Sequence, residues 1–171
     1  APVERKSLSL GAYGKLMADP DSRWFMFFYF ITFGGFVGLA NALPLYFTAQ
    51  YHVSPVTAGF MVAFIVACGS GFRPVGGAIA DRVGGIKSLS IIFGVVTACY
   101  FLIAAMPEGP AAPTPAGWSL MQLPGVAWVS VLLFSIGVLA LGMGNGSVFQ
   151  LIPLRFRQEI GAMTGLVGCA G

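Results

Sequence analysis

Charge is scarce in this chain: Asp, Glu, Lys and Arg together make up 9% of 171 residues, against about 25% in an ordinary soluble domain. With 57% hydrophobic residues and a mean hydropathy of +0.84, that scarcity excludes a water-soluble globular fold and marks an integral membrane protein. Strict alternation of apolar and polar residues is also lacking. "WFMFFYFITFGGFVGLANALPLYF" and "VSVLLFSIGVLALGMG" are apolar on successive residues, whereas barrel strands alternate over about 10 residues, so an all-α bundle is expected. His52 is the sole histidine, beside Tyr51 in a short loop. A zinc site normally takes three or four protein ligands, so no metal is assigned. Cys68, Cys99 and Cys169 each lie in an apolar run without metal-ligand spacing and are read as small buried packing residues. No cofactor motif is found, because "GGIKS" has Ile86 where a phosphate loop needs Gly directly before Lys. No nucleophile and base pair is present either, so an enzyme is not expected. The first twenty residues lack the apolar stretch of a signal peptide. The chain has no initiating Met and stops within the apolar "TGLVGCAG", so an internal piece of a longer polypeptide is expected.

What is present is a series of long apolar segments. Between Arg23 and Arg73 no charged residue occurs, an interval that holds two spans of about 20 residues. Punctuation by Pro, Gly and charge predicts spans over about 24–50, 56–80, 86–106 and 125–153, and a fifth, cut off, over 160–171. Residues 1–22 read as a polar linker, and 23–171 as a partial transmembrane bundle. Arg5, Lys6, Lys15 and Arg23 precede the first span, Arg82 and Lys87 separate the second from the third, and Arg155 and Arg157 come after the fourth. The alternate loops, "YHVSP" and "PEGPAAPTPAGWSLMQLPG", contain neither Lys nor Arg. Cytoplasmic loops collect these cations, so residues 1–22 are placed in the cytoplasm. The net charge of +3 is thus a topology signal. A nucleic-acid partner is not expected, since the cations are split among short loops rather than set in one basic stripe. Gly34 with Gly38, and Gly142 with Gly146, form two G-x-x-x-G pairs that let helix backbones approach closely. The cluster "LGMGNGSVFQ" also leaves open a bare backbone lining a substrate path.

Arg73 stands apart from the other cations. It lies eight residues inside Asp81, about 12 Å along a helix, where a charge costs at least about 2.5 to 3.5 kcal/mol. Pro74 comes next and loosens the helix there. No Asp or Glu lies inside the predicted spans, so an anion is the economical counter-ion. The guanidinium fork suits planar oxyanions. Tyr29 and Phe33, four apart, share one helix face, with Asn41 close to it two turns on. Phe33 and Phe149 read as aromatic walls for an anion or as core packing.

The stretch "GGAIADRVGGIKSL" resembles the G-x-x-x-D-R-x-G-G-x-K motif of major facilitator transporters, through Gly77, Asp81, Arg82, Gly84 and Lys87. More narrowly, "YFITFGGFVGLANALPLYF", "GFRPVGGAIADRVGG", "GMGNGSVFQLIP" and "GAMTGLVGCAG" resemble the C-terminal half of the nitrate/nitrite porter family. The resemblance implies a major facilitator bundle whose spans are the seventh to tenth helices and the start of the eleventh. It implies secondary transport of nitrate and nitrite across the cytoplasmic membrane by alternating access, with the N-terminal half of the same transporter as partner within the lipid bilayer. Arg73 falls at the place of an anion-clamping arginine, and Tyr29, Phe33 and Phe149 at those of pocket residues. Asn41, and Asn145 within "GMGNGSVFQLIP", complete the expected substrate-binding set. Gly165, Gly168 and Gly171 resemble the opening of the glycine-rich nitrate signature, and Asp81 and Arg82 look like gating elements. The alternatives are a facilitator for another small anion and a membrane sensor that binds an anion without transporting it.

Overall fold

The structure, a computed structural model, describes residues 10–106 and 125–171. Its first helix, α1 (Leu10–Ala18), leads at once into α2 (Pro20–Tyr29). Asp19 separates them by capping α2: its Oδ1 accepts the Asp21 N–H at 2.8 Å and the Ser22 N–H at 3.4 Å. Pro20 stands in the first turn, where a missing N–H costs nothing. Membrane-length helix therefore begins at Pro20, earlier than residue 24. It runs 32 residues to Tyr51, through a π turn (Phe30–Gly34) and then α3 (Gly35–Tyr51). His52 ends α3 in the left-handed region at φ 52°.

The second span, Pro55–Val83, is broken into α4 (Pro55–Gly71) and α5 (Arg73–Val83). Helix α5 extends past residue 80, so Gly77, Asp81 and Arg82 are helical rather than part of a loop. Only Gly84 lies between α5 and α6 (Gly85–Ala104), and its φ of 96° needs a residue without Cβ. Lys87 sits in the first turn of α6. The fourth span, α7 (Gly125–Arg155), has 31 residues, and α8 (Ile160–Ala170) is a shorter apolar helix. Four helices are thus long and apolar enough to cross a membrane, among described residues that are helical nearly throughout. The loop "PEGPAAPTPAGWSLMQLPG" falls almost wholly outside the described residues.

Helix α7 is the central post, packed against α4, α5 and α6. In lipid, apolar surface gives no drive for helices to associate, so close backbone approach and satisfied polar groups must hold them. Glycine provides the approach. A Cβ on Gly142 would overlap the Gly69 carbonyl, one on Gly146 the Arg73 carbonyl, and one on Gly76 the Met143 backbone. The G-x-x-x-G of α7 is therefore a true crossing. The pair in the first span is not one within this chain, for nothing lies within 4 Å of a Cβ on Gly38, and Gly34 faces mainly its own neighbour Phe30. Polar groups supply the second device. Ser147 donates to the Gly76 carbonyl at 3.2 Å and lies 3.1 Å from the Ser88 hydroxyl, tying α5, α6 and α7 together. Of the cysteines read as buried, only Cys99 is; Cys68 is half-buried and Cys169 exposed.

Asp21, at the start of the first span, pairs with Arg155, at the end of the fourth, with Nε to Oδ2 at 2.5 Å. That contact puts both ends on one side of the bundle, the side to which the cation count assigns them.

Candidate functional site

Arg73 owes its place to the break in the second span. Pro74 has no N–H to donate and its ring crowds the carbonyl one turn back. The chain answers at Phe72, which leaves helical geometry at φ −91° and ψ 2°. Arg73 is consequently the first residue of α5, and Gly146 of α7 lies against its carbonyl. Bare backbone in "LGMGNGSVFQ" is used for packing at three points. Gly142 meets Gly69, Gly146 meets Arg73, and Gly144 meets Thr32, whose Cγ2 would stand 2.6 Å from an added Cβ.

The side chain of Arg73 is half-buried and has no carboxylate within 4 Å among the described residues. Its Nε is buried without a hydrogen-bond partner among the described residues. Two aromatic rings take the place of a counter-ion: Cζ lies 4.9 Å from the Phe36 centroid and 5.3 Å from that of Phe33. Phe33 in turn stacks on Tyr29 at 5.2 Å with the planes 6° apart, and Tyr29 meets Phe149 edge-on at 5.0 Å. Three expected residues are thereby joined to Arg73 in one aromatic cluster. Gly171 belongs beside it, since an added Cβ would come within 2.9 Å of the Tyr29 ring and 3.0 Å of Phe33.

The π turn sets this arrangement. One extra residue in the turn rotates the rest of the helix relative to a uniform α-helix, and both Phe33 and Phe36 reach Arg73 from the two sides of Gly34–Gly35. The fully buried Thr32 donates to the Phe28 carbonyl at 2.9 Å, giving that widened turn a partner.

Of the other expected residues, Asn145 shares a helix face with Phe149 and the rest stand apart. Asn41 lies beyond the π turn, is exposed, and donates to the Val37 carbonyl of its own helix at 2.8 Å. Asn145 is 2% exposed, and among the described residues neither Oδ1 nor Nδ2 has a hydrogen-bond partner. It is four residues from Phe149 and so on the same face of α7. Gly165 and Gly168 have no atom within 4 Å of an added Cβ and face away from the bundle. Asp81, Arg82 and Lys87 are exposed, and the ion pair found among the described residues is Asp21–Arg155 instead. Phe36 was missed in the sequence, although it is three residues from Phe33. Nothing in a run of phenylalanines tells which ring meets a cation.

Chemically, the cluster offers a half-buried cation with ring faces beside it and, among the described residues, no carboxylate on its N–H donors.

The sequence matches the family model of the Major Facilitator Superfamily over residues 1–171. It is 33% identical over 150 residues to the probable nitrate/nitrite antiporter NarK1 of Thermus thermophilus, covering 86% of this chain and 33% of that protein. It is 34% identical over 151 residues to the probable nitrate/nitrite transporter NarK2 of Mycobacterium tuberculosis, with 85% and 33% covered. The nitrite extrusion protein of Bacillus subtilis is 29% identical over 153 residues, again with 86% and 33% covered. The chain therefore spans about a third of the length of the curated relatives it matches. No solved structure matches it. Four membrane-length helices, the half-buried arginine among aromatic rings and a match along its whole length agree: the chain is part of a multi-pass membrane protein and belongs to the Major Facilitator Superfamily.

Proposed function

We propose that this chain forms part of a secondary transporter that carries nitrate and nitrite across the cytoplasmic membrane, with Arg73 binding the anion. One observation carries the reading: a half-buried guanidinium has aromatic rings for neighbours and no carboxylate among the described residues. An intramembrane charge left in that condition is costly unless a ligand completes it. A flat oxyanion accepts two parallel N–H bonds from the guanidinium fork. Tyr29 and Phe149 continue the aromatic wall from Phe33, and Asn145 contributes a buried amide whose donors and acceptor are uncommitted. Relatives named as nitrate/nitrite transporters support the choice of substrate.

Transport proceeds by alternating access, in which two bundles rock about a site at their shared interface. The second bundle is the N-terminal half of the same transporter, which supplies the opposite wall and a second cation. Gly165, Gly168 and Gly171 serve the movement of α8. Gly77, Asp81, Arg82, Gly84 and Lys87 serve gating at the cytoplasmic end, where residues 1–22 also lie.

Labelled-nitrate counterflow into nitrite-loaded proteoliposomes tests this in the full-length protein. Wild type is expected to exchange, Arg73→Ala to lose binding, and Arg73→Lys to bind far more weakly because a point charge replaces a fork. Unchanged nitrate affinity in both variants would refute the assignment. Displacement of nitrate by phosphate or a carboxylate at similar concentration would move the substrate to another anion.

A further inference from the structure

We infer that Phe36 is a positioning residue for the anion site: its ring face holds the Arg73 guanidinium in place while leaving the N–H donors free for a ligand. This rests on the reading of Arg73 as the anion-binding group. Phe36 is 5% exposed, in the first turn of α3, and has the shorter of the two ring contacts to Arg73, 4.9 Å against 5.3 Å for Phe33. The two rings differ in setting. Phe33 is half-buried and continues outward into the stack with Tyr29, beside Gly171. Phe36 points into the core and is fixed there. An added Cβ on Gly69 of α4 would stand 2.5 Å from Phe36 Cε2 and 2.8 Å from Val138 Cγ1 of α7, so α4 and α7 close around the ring.

The physical reason for a ring here is the kind of attraction it gives. A carboxylate partner would take the guanidinium fork through two N–H bonds and compete with the incoming anion. The negative quadrupole of an aromatic face instead stabilises the cation electrostatically and accepts none of its in-plane donors. Desolvation strengthens that attraction, and the Nε of Arg73 is buried away from solvent. A ring packed between α4 and α7 thus restricts the rotamers of the cation beside it. Pre-ordering of this kind lowers the cost of binding.

The test keeps the aromatic ring of Phe36 and changes its electrostatics. In the full-length protein, Phe36 is replaced in turn by 4-fluoro-, 3,5-difluoro- and 3,4,5-trifluorophenylalanine, and nitrate affinity is read from counterflow. Each fluorine withdraws charge from the ring face, so affinity is expected to weaken stepwise, by about tenfold at the trifluoro ring. The same series at Phe134, a buried ring among Tyr46, Phe47 and Tyr100 with no cation beside it among the described residues, is expected to be flat. Phe36→Leu, which keeps an apolar side chain and loses the ring face, is expected to raise KM in the protein that folds. A flat fluorine series at Phe36, in a protein whose Arg73→Ala variant has lost binding, would overturn the inference alone. Intact nitrate binding in Arg73→Ala would overturn the anion-site reading and this inference with it.

Discussion

Replacing Gly146 by Ala perturbs the site through the backbone alone. The new Cβ would overlap the Arg73 carbonyl oxygen and lie 2.8 Å from the Gly77 nitrogen and 3.2 Å from the Arg73 carbonyl carbon. These are main-chain atoms, which have no rotamer by which to escape, so α5 and α7 must part by about 1 Å to restore ordinary contact. Overpacking of that kind costs about 2–3 kcal/mol. Alanine returns about 1 kcal/mol through its better helix propensity, so the net loss of stability is about 1–2 kcal/mol. A second effect is specific to function: Arg73 moves with its own carbonyl, and a displacement of about 1 Å is enough to cost up to about 10²-fold where geometry is exacting. Gly94 is the control, since an added Cβ there meets no atom within 4 Å. Thermal unfolding of the full-length protein, with and without nitrate, is the assay, beside KM from counterflow. Gly146→Ala is expected to melt lower and bind nitrate at least about tenfold more weakly, while Gly94→Ala is neutral or slightly stabilising. Equal melting temperature and equal affinity in the two variants would refute the steric reasoning.

Asn145→Leu removes a buried amide with no partner on either polar atom; it is expected to raise stability by about 1–2 kcal/mol and to lower nitrate uptake. Raised stability with unchanged uptake would take Asn145 out of the site. Asp21→Asn breaks an ion pair whose side chains are 46% and 55% exposed, so the loss is expected to be below about 1 kcal/mol and to disappear in high salt. A large shift in melting temperature that persists in salt would refute that ranking.

The position of the anion-site candidate on a broken helix has a general consequence. Residues next to a helix break in a membrane need partners that a continuous ladder would supply. Here α7 packs directly beside the break: its glycines admit the backbone of α5, and its Ser147 donates to the Gly76 carbonyl. The candidate anion site and the bundle packing therefore share the same few residues. Substitutions on α7 between Gly142 and Gly146 are accordingly expected to alter stability and affinity together.

Much of the architecture is legible in the residues. Long charge-free runs fix the number of spans, because a charge in hydrocarbon is expensive, and the alternation of cation-bearing and cation-free loops fixes the way they thread. Four helices, Pro20–Tyr51, Pro55–Val83, Gly85–Ala104 and Gly125–Arg155, are long and apolar enough to cross a membrane. Pro74 announced a weakened helix beside Arg73, and the break falls at Phe72. The helical start at Pro20 and the helical Asp81 and Arg82 were not legible because polar residues end an apolar run without ending a helix. Sequence alone determined the fold class, the threading and the isolation of one cation, for each is dictated by the features a bilayer tolerates along a single segment. Only the tertiary structure decided which rings face that cation, which glycines touch a neighbour and which amide is left buried without a partner. Those depend on a π turn at Phe30–Gly34 and on contacts between residues far apart in the chain, such as Gly146 with Arg73 and Phe36 with Gly69, and no local pattern encodes the angle at which one helix meets another.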